Sequence, residues 1–219
     1  MLQSGKLKNI LLTTVLLLSM IIGNAQPFWK SGIVADEFIA AKMPFPESHA
    51  ATIAETPEGL VVAWFGGTKE RNPDVEVWMS KLSINGKWTA PISIANGIIN
   101  DSLRYACWNP VLYQVPKGDL LLFYKVGPNV AEWKGWMKRS KDHGKTWSSA
   151  IALPADCLGP VKNKPVLLGN GILIAASSTE GSKGWNLHME FSSDMGITWT
   201  RGTDLLAEKG IKAIQPSIL

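Results

Sequence analysis

Cysteine and histidine are scarce in this chain: its 219 residues include two Cys and three His. Neither occurs at a zinc or iron–sulfur spacing, so no metal or other cofactor is expected. Cys107 and Cys157 allow one disulfide or two free, buried thiols, and the sequence leaves both open. Charge is thin as well, at 18% of residues, with 22 basic against 18 acidic side chains and no basic run. That balance gives no electrostatic footprint for nucleic acid. No apolar run reaches the roughly 20 residues that span a bilayer. The longest covers residues 10–22, behind Lys6 and Lys8 and ahead of the small residues Gly23, Asn24 and Ala25. This is the pattern of an export signal cut after Ala25, and no Cys stands near the cut to carry a lipid. The expectation is therefore a secreted or periplasmic protein without a stable membrane anchor, with residues 26–219 forming its domain.

Helical periodicity of useful length is absent too. What the chain has instead is 20 Gly, 13 Pro and ten Trp, with 46% of residues hydrophobic. Such a composition suits many short strands, tight turns and aromatic packing between layers. Three segments repeat one pattern: a strand, a Gly-bearing turn and a more apolar strand, at residues 49–65, 109–124 and 164–176. Each is a hairpin signature. An alternating strand follows each hairpin, at 75–81, 135–140 and 185–192. A turn ending in Trp88, Trp147 or Trp199 comes next, and then a fourth strand. A fourth unit begins at residues 214–219 with an apolar strand. Four antiparallel strands per unit of 50–60 residues make the blade of a β-propeller. The fold expected is all-β, with about three blades plus one strand in this chain.

Two of the Trp turns are tighter copies of one motif, S-x-D-x-G-x-T-W, at residues 140–147 and 192–199. A degenerate version at 80–88 keeps Ser80, Gly86 and Trp88 without the Asp. The motif resembles the Asp box, or BNR repeat, of the sialidase superfamily. The short stretches 48–50, 64–68, 107–110, 123–127 and 159–165 are similar to a bacterial sialidase-like subgroup. The resemblance runs from His49 to Leu219 and implies a six-bladed propeller when the ring is complete. It also implies that Asp142 and Asp194 are structural, on the outer rim.

Catalytic chemistry then belongs to an axial pocket lined by the starts of the innermost strands. Those starts are His49, Asn109, Lys164 and Gln215; all are polar, and the last three precede Pro110, Pro165 and Pro216. Sialidases open their first inner strand with an Arg that grips the sialic acid carboxylate. Alignment through the turn at 56–59 places His49 there, a neutral or singly charged ring in place of a permanent bidentate cation. The family's acid/base Asp lies before the third strand of the first blade, where this chain has Asp74, with Glu70 as its nearest competitor. A carboxyl in a dry site there can protonate a leaving oxygen.

Further candidates for substrate contact follow from position. Lys69, Lys125 and Glu180 stand near the ends of second strands. Lys162, Asn163 and Lys164 share one loop. Trp108 offers an aromatic face, and His188 and Glu190 alternate on one strand face. Cations, amides, carboxylates and an aromatic around one axis suit a terminal acidic sugar. The resemblance thus implies an exo-acting glycoside hydrolase of the exo-α-sialidase type. A hydrolase or lyase for another glycan, or a carbohydrate-binding propeller without catalysis, remains open. The chain by itself, lacking later blades, is expected to be inactive. Expression with export is expected to yield a mature chain starting at Gln26; an intact mass retaining residues 1–25 counts against the export signal.

Overall fold

The computed structural model describes residues 32–33, 35–40, 42–181, 184–205 and 210–219. The export segment expected at 1–25 lies outside them. The chain divides into two compact units, residues 1–38 and 39–219, and every strand described belongs to the second. Among the described residues no helix is long and apolar enough to cross a membrane.

The strand order follows the chain. The first sheet comprises β1 (Glu47–Thr56), β2 (Gly59–Gly67), β3 (Glu76–Lys81) and β4 (Ile92–Ala95). A small ribbon of β5 (Ile98–Asn100) and β6 (Leu103–Arg104) leads on. The second sheet holds β7 (Ala106–Gln114), β8 (Leu120–Gly127), β9 (Lys134–Ser140) and β10 (Ile151–Ala152). The third holds β11 (Val166–Leu167), β12 (Leu173–Gly181), β13 (Gly184–Ser192) and β14 (Thr200–Leu205). Each sheet of four is an antiparallel meander, which is the architecture of a propeller blade.

The second strands are the most deeply buried elements. Leu120, Leu121, Leu122 and Phe123 of β8 are fully enclosed, because the second sheet is covered on both faces. Val61, Ala63, Val77 and Met79 pack on Leu112, Leu120 and Leu122. On the other face, Leu121, Phe123 and Met137 meet Leu173, Ala175 and Trp199. Continuous apolar runs, rather than strict alternation, are what a strand buried on both faces requires.

Polar latches join successive sheets at equivalent positions. Lys138 of β9 donates from Nζ to the carbonyl of Ile94, 2.7 Å away, on the outgoing strand of the first sheet. Glu190 of β13 occupies the matching place one sheet later. Its carboxylate accepts the N–H groups of Leu158 (2.8 Å) and Gly159 (2.6 Å) from the connector that leaves the second sheet. Beside it, Lys125 Nζ donates to the carbonyl of Pro160 at 2.7 Å. Cation to carbonyl in one joint and carboxylate to N–H in the next give the same mechanical result with opposite polarity.

The two Asp boxes fold as their motif implies. In the first, Asp142 accepts from Ser140 Oγ (2.7 Å), Thr146 N (2.8 Å) and Thr146 Oγ1 (2.5 Å). In the second, Asp194 accepts from Ser192 Oγ (2.8 Å), Thr198 N (2.8 Å) and Thr198 Oγ1 (2.6 Å). Gly144 and Gly196 sit at φ 86° and 83°, the left-handed region open to glycine. Thr146 and Ser140 hold the Asp142 carboxyl well below the ordinary range. For Asp194, burial works upward, but the bonds from Thr198 and Ser192 prevail and bring it to about 2.

Two expectations need correction. Ser80 does not open a degenerate box: its Oγ donates to the Thr89 carbonyl at 2.7 Å. Ser83 makes the turn instead, taking the Lys87 N–H on its Oγ at 3.2 Å, because β3 runs further before turning. Residues 210–219 also form no strand. Their backbone is met by side chains rather than by a neighbouring strand: Gln215 N–H donates to Ser178 Oγ, and Asn163 Nδ2 donates to the Gln215 and Pro216 carbonyls. Cys107 and Cys157 are free and buried, and burial raises both thiols, Cys157 to about 12.

Removing one partner from a buried charged network costs about 3–5 kcal/mol. Glu190→Ala is therefore expected to lower the urea-unfolding free energy by about that amount. A loss below about 1 kcal/mol, the worth of an exposed pair, shows that the latch does not hold the sheets.

Candidate functional site

The first mouth is shaped by an irregularity. The pairing of β1 with β2 shifts between His49 and Thr52, and Ala50 takes φ 54°. The bulge turns the strand start and leaves the His49 side chain 63% exposed. Its ring stands edge-on to Phe65 at 5.3 Å, and its Nδ1 lies 3.8 Å from Glu70 Oε2. Glu70 is positioned from below, since its N–H donates to Glu47 Oε2 at 2.8 Å. These residues line a cavity of about 420 Å³, with Phe65 and Val75 as its apolar wall.

Asp74 sits in the loop between β2 and β3, beside this cavity rather than in its lining. Its Oδ2 accepts from Thr68 N at 3.0 Å and Thr68 Oγ1 at 2.7 Å. Asn72 Nδ2 in turn donates to Thr68 Oγ1 at 3.0 Å. Oδ1 is buried and has no hydrogen-bond partner. Burial works to raise the Asp74 carboxyl, but the two bonds from Thr68 outweigh it and hold the group below its ordinary value. Asp74 is thus an anchored carboxylate with one oxygen uncommitted.

The second mouth repeats the bulge. The β7–β8 register shifts between Trp108 and Val111, and Asn109 takes φ 39°. His49 pairs with Phe65 as Trp108 pairs with Lys125. The equivalent of His49 is therefore Trp108, and Asn109 stands at the place of Ala50. Counting from the Pro residues misses this by one position, because Pro110 lies within the bulge. Gln215, at φ 54°, shares the left-handed conformation of Ala50 and Asn109.

Several candidates prove to be buried. Trp108 is 2% exposed; its Nε1 donates to the Gly127 carbonyl at 2.9 Å, and its ring lies between Phe65 and Trp133. It is a pillar of the core that unites Ala50, Phe65, Val75, Trp133, Leu158 and Val161, not an open face for a sugar. Asn109 is likewise enclosed. Lys125 is fully buried; loss of solvent lowers its ammonium to about 7, against the opposing pull of Glu190. His188 is fully buried as well, with Nε2 2.9 Å from Glu190 Oε1. Lys125, His188 and Glu190 carry the seam between the second and third sheets and reach no solvent.

The remaining candidates fall in three places. Lys69 and Glu70 are exposed on the β2–β3 loop. Lys164 is exposed ahead of β11, while Asn163 is bonded to the backbone of Gln215 and Pro216. Glu180, in β12, lines a different cavity with Trp133 and Arg201. Lys69, Lys125 and Glu180 are therefore not equivalent positions: Lys125 lies inside its strand, Lys69 beyond its own. The sequence reading missed Glu47, which holds Glu70, and Thr68, which holds Asp74. A Thr six residues ahead of an Asp across a Pro turn is the only local signal of the latter. Among the described residues no cluster of His, Cys, Asp and Glu could hold a metal.

Three four-stranded antiparallel meanders, two of them carrying an Asp box, make a propeller of the sialidase type. Residues 58–219 match the BNR repeat-like domain, and the chain belongs to that family. A sialidase of Clostridium perfringens is 28% identical, over 50% of this chain and 36% of that enzyme. Among solved structures, a Hadza microbial sialidase superposes with a TM-score of 0.60 at 16% identity, over 72% of this chain and 37% of that one. A family 117 glycoside hydrolase of Zobellia galactanivorans gives 0.55 at 10% identity, over 71% and 55%. Trypanosoma rangeli sialidase, solved with sialic acid, gives 0.51 at 14% identity, over 72% and 31%. The chain spans little more than a third of the two sialidases it matches first.

Thr68→Val removes the hydroxyl donor and is expected to raise the Asp74 carboxyl. Carboxyl-detected NMR titration of both forms reads this directly; coincident curves show that the hydroxyl bond does not set the Asp74 charge.

Proposed function

We propose that this chain provides the first blades of a secreted, exo-acting glycoside hydrolase, with Asp74 as its general acid/base. The supporting observation is Asp74 itself: a loop carboxylate anchored through one oxygen, with the other buried and unpartnered, in the loop that also supplies Glu70 and Val75 to the cavity wall. The bonds from Thr68 keep it ionised when the site is open, against the burial that acts to raise it. A sugar covering the mouth excludes water and raises the carboxyl toward the range in which it can protonate a glycosidic oxygen. His49 and Glu70 orient ring hydroxyls. The substrate class suggested by the family is a terminal acidic sugar such as sialic acid.

A second reading has its own support. Among the described residues, the lining of the first mouth holds two carboxylates, Glu47 and Glu70, one imidazole and no guanidinium. Such a wall suits hydroxyl groups better than a carboxylate, and favours a glycan whose terminal sugar is neutral.

The assay is turnover of fluorogenic glycosides, a sialoside beside an arabinofuranoside and a galactoside, by a protein in which the ring is closed. Asp74→Ala is expected to lower kcat by about 100-fold or more on whichever glycoside is cleaved. Unchanged turnover removes Asp74 from the mechanism, and preference among the three separates the two substrate readings. The 219-residue chain alone is expected to cleave none of them; turnover by it would mean that three sheets suffice.

A further inference from the structure

A second cavity, of about 410 Å³, opens along the seam between the second and third sheets. Its walls come from the β8–β9 loop, the connector after β10 and the β12–β13 hairpin, and it shares no lining residue with the His49 cavity. Two of its residues carry unmet hydrogen-bonding capacity. Trp133 is 7% exposed, and its Nε1 is buried without a partner. Glu180 Oε1 is also buried without a partner. A lone buried donor and a lone buried acceptor are each costly, and native structures rarely leave such groups unmet.

We propose that this seam cavity is a saccharide subsite that binds a neutral, hydroxyl-rich sugar unit through Trp133 and Glu180. Each sugar hydroxyl can accept one hydrogen bond and donate another, so the hydroxyl groups of one sugar unit can complete the indole N–H and the carboxyl oxygen. Asn186 and Thr179 add an amide and a hydroxyl to the same wall. The charges present argue against an acidic ligand. Arg201 is already paired with Asp204, and Asp156 and Glu180 are carboxyl groups. Burial raises the Glu180 carboxyl, which brings it nearer to a neutral form that donates as well as accepts.

The site is built before any ligand arrives. Trp133 packs edge-on against Trp108 at 6.0 Å, which fixes the plane of its ring. Its backbone lies against Gly127 so closely that a Cβ there would stand 2.4 Å from the Trp133 Cα. With so little of the ring exposed, recognition comes from the indole N–H rather than from stacking on the ring face. The volume falls within the range of pockets that enclose small organic ligands. Phe65 and Trp108 carry contacts from His49 to Trp133, so the two cavities are backed by one aromatic row.

The test uses the 219-residue chain labelled with ¹⁵N, titrated with methyl β-galactopyranoside, methyl α-mannopyranoside and N-acetylneuraminic acid. One indole N–H resonance, the one missing from Trp133→Phe, is expected to shift with a neutral glycoside. Trp133→Phe keeps an aromatic ring, smaller than the indole, and loses the donor, and Glu180→Ala loses the acceptor; each is expected to weaken binding about fivefold to tenfold. Circular dichroism checks that both variants fold. If either does not, the wild-type indole shift alone decides. The proposal is overturned if that resonance stays still with both neutral glycosides, if N-acetylneuraminic acid binds more tightly than they do, or if both folded variants bind as the wild type does. In the first case the orphan groups hold water only.

Discussion

Neighbouring sheets stay in step because polar groups on the third strand of one sheet, Glu190 fully buried and Lys138 partly so, grasp the backbone that leaves the sheet before it. Glu190 does this with two N–H groups of the 158–160 connector, and Lys138 does it with the Ile94 carbonyl. Apolar packing between sheets is large but without direction. A charged group in a low-dielectric seam is directional, because it can be satisfied only in one register. The connector fixed by Glu190 also carries Leu158 and Val161, which close the core over Trp108 and Trp133. The same connector supplies Leu158 to the wall of the seam cavity.

The same arrangement explains why charge is so often hidden in this molecule. Lys125, His188 and Glu190 are fully buried in one joint, where a sequence reading naturally assigns them to substrate. Their neighbours show the difference. Lys125 satisfies a backbone carbonyl, and Glu190 satisfies two backbone N–H groups and an imidazole. Outside this joint, the His49–Glu70 pair is exposed, while Asp74 Oδ1 and the orphan groups of Trp133 and Glu180 are buried but unpartnered.

The blade pattern was plain in the sequence, because a hairpin turn, a period-2 strand and an Asp box are each local. The turn at Thr56–Gly59, the β8 run at 120–124 and both S-x-D-x-G-x-T-W motifs lie in the structure where the residues place them. The degenerate box was misjudged at Ser80 because the length of β3 is set by pairing with β2, not by the motif. The ring of strand starts was misjudged by one residue at Asn109, because the equivalence is set by pairing with the second strand, which the bulge between Trp108 and Val111 offsets.

The sequence by itself determined the architecture: all-β, three meandering blades, structural Asp boxes and a first-blade loop bearing Asp74. Each of these is written in turn chemistry and alternation within about ten residues. Only the tertiary structure decided which polar side chains face a cavity and which close a seam. That choice turns on contacts between residues 30 or more apart, such as Lys125 with Pro160 and Glu190 with Leu158. A buried lysine and a substrate-binding lysine have the same local sequence; what separates them is whether another sheet lies above.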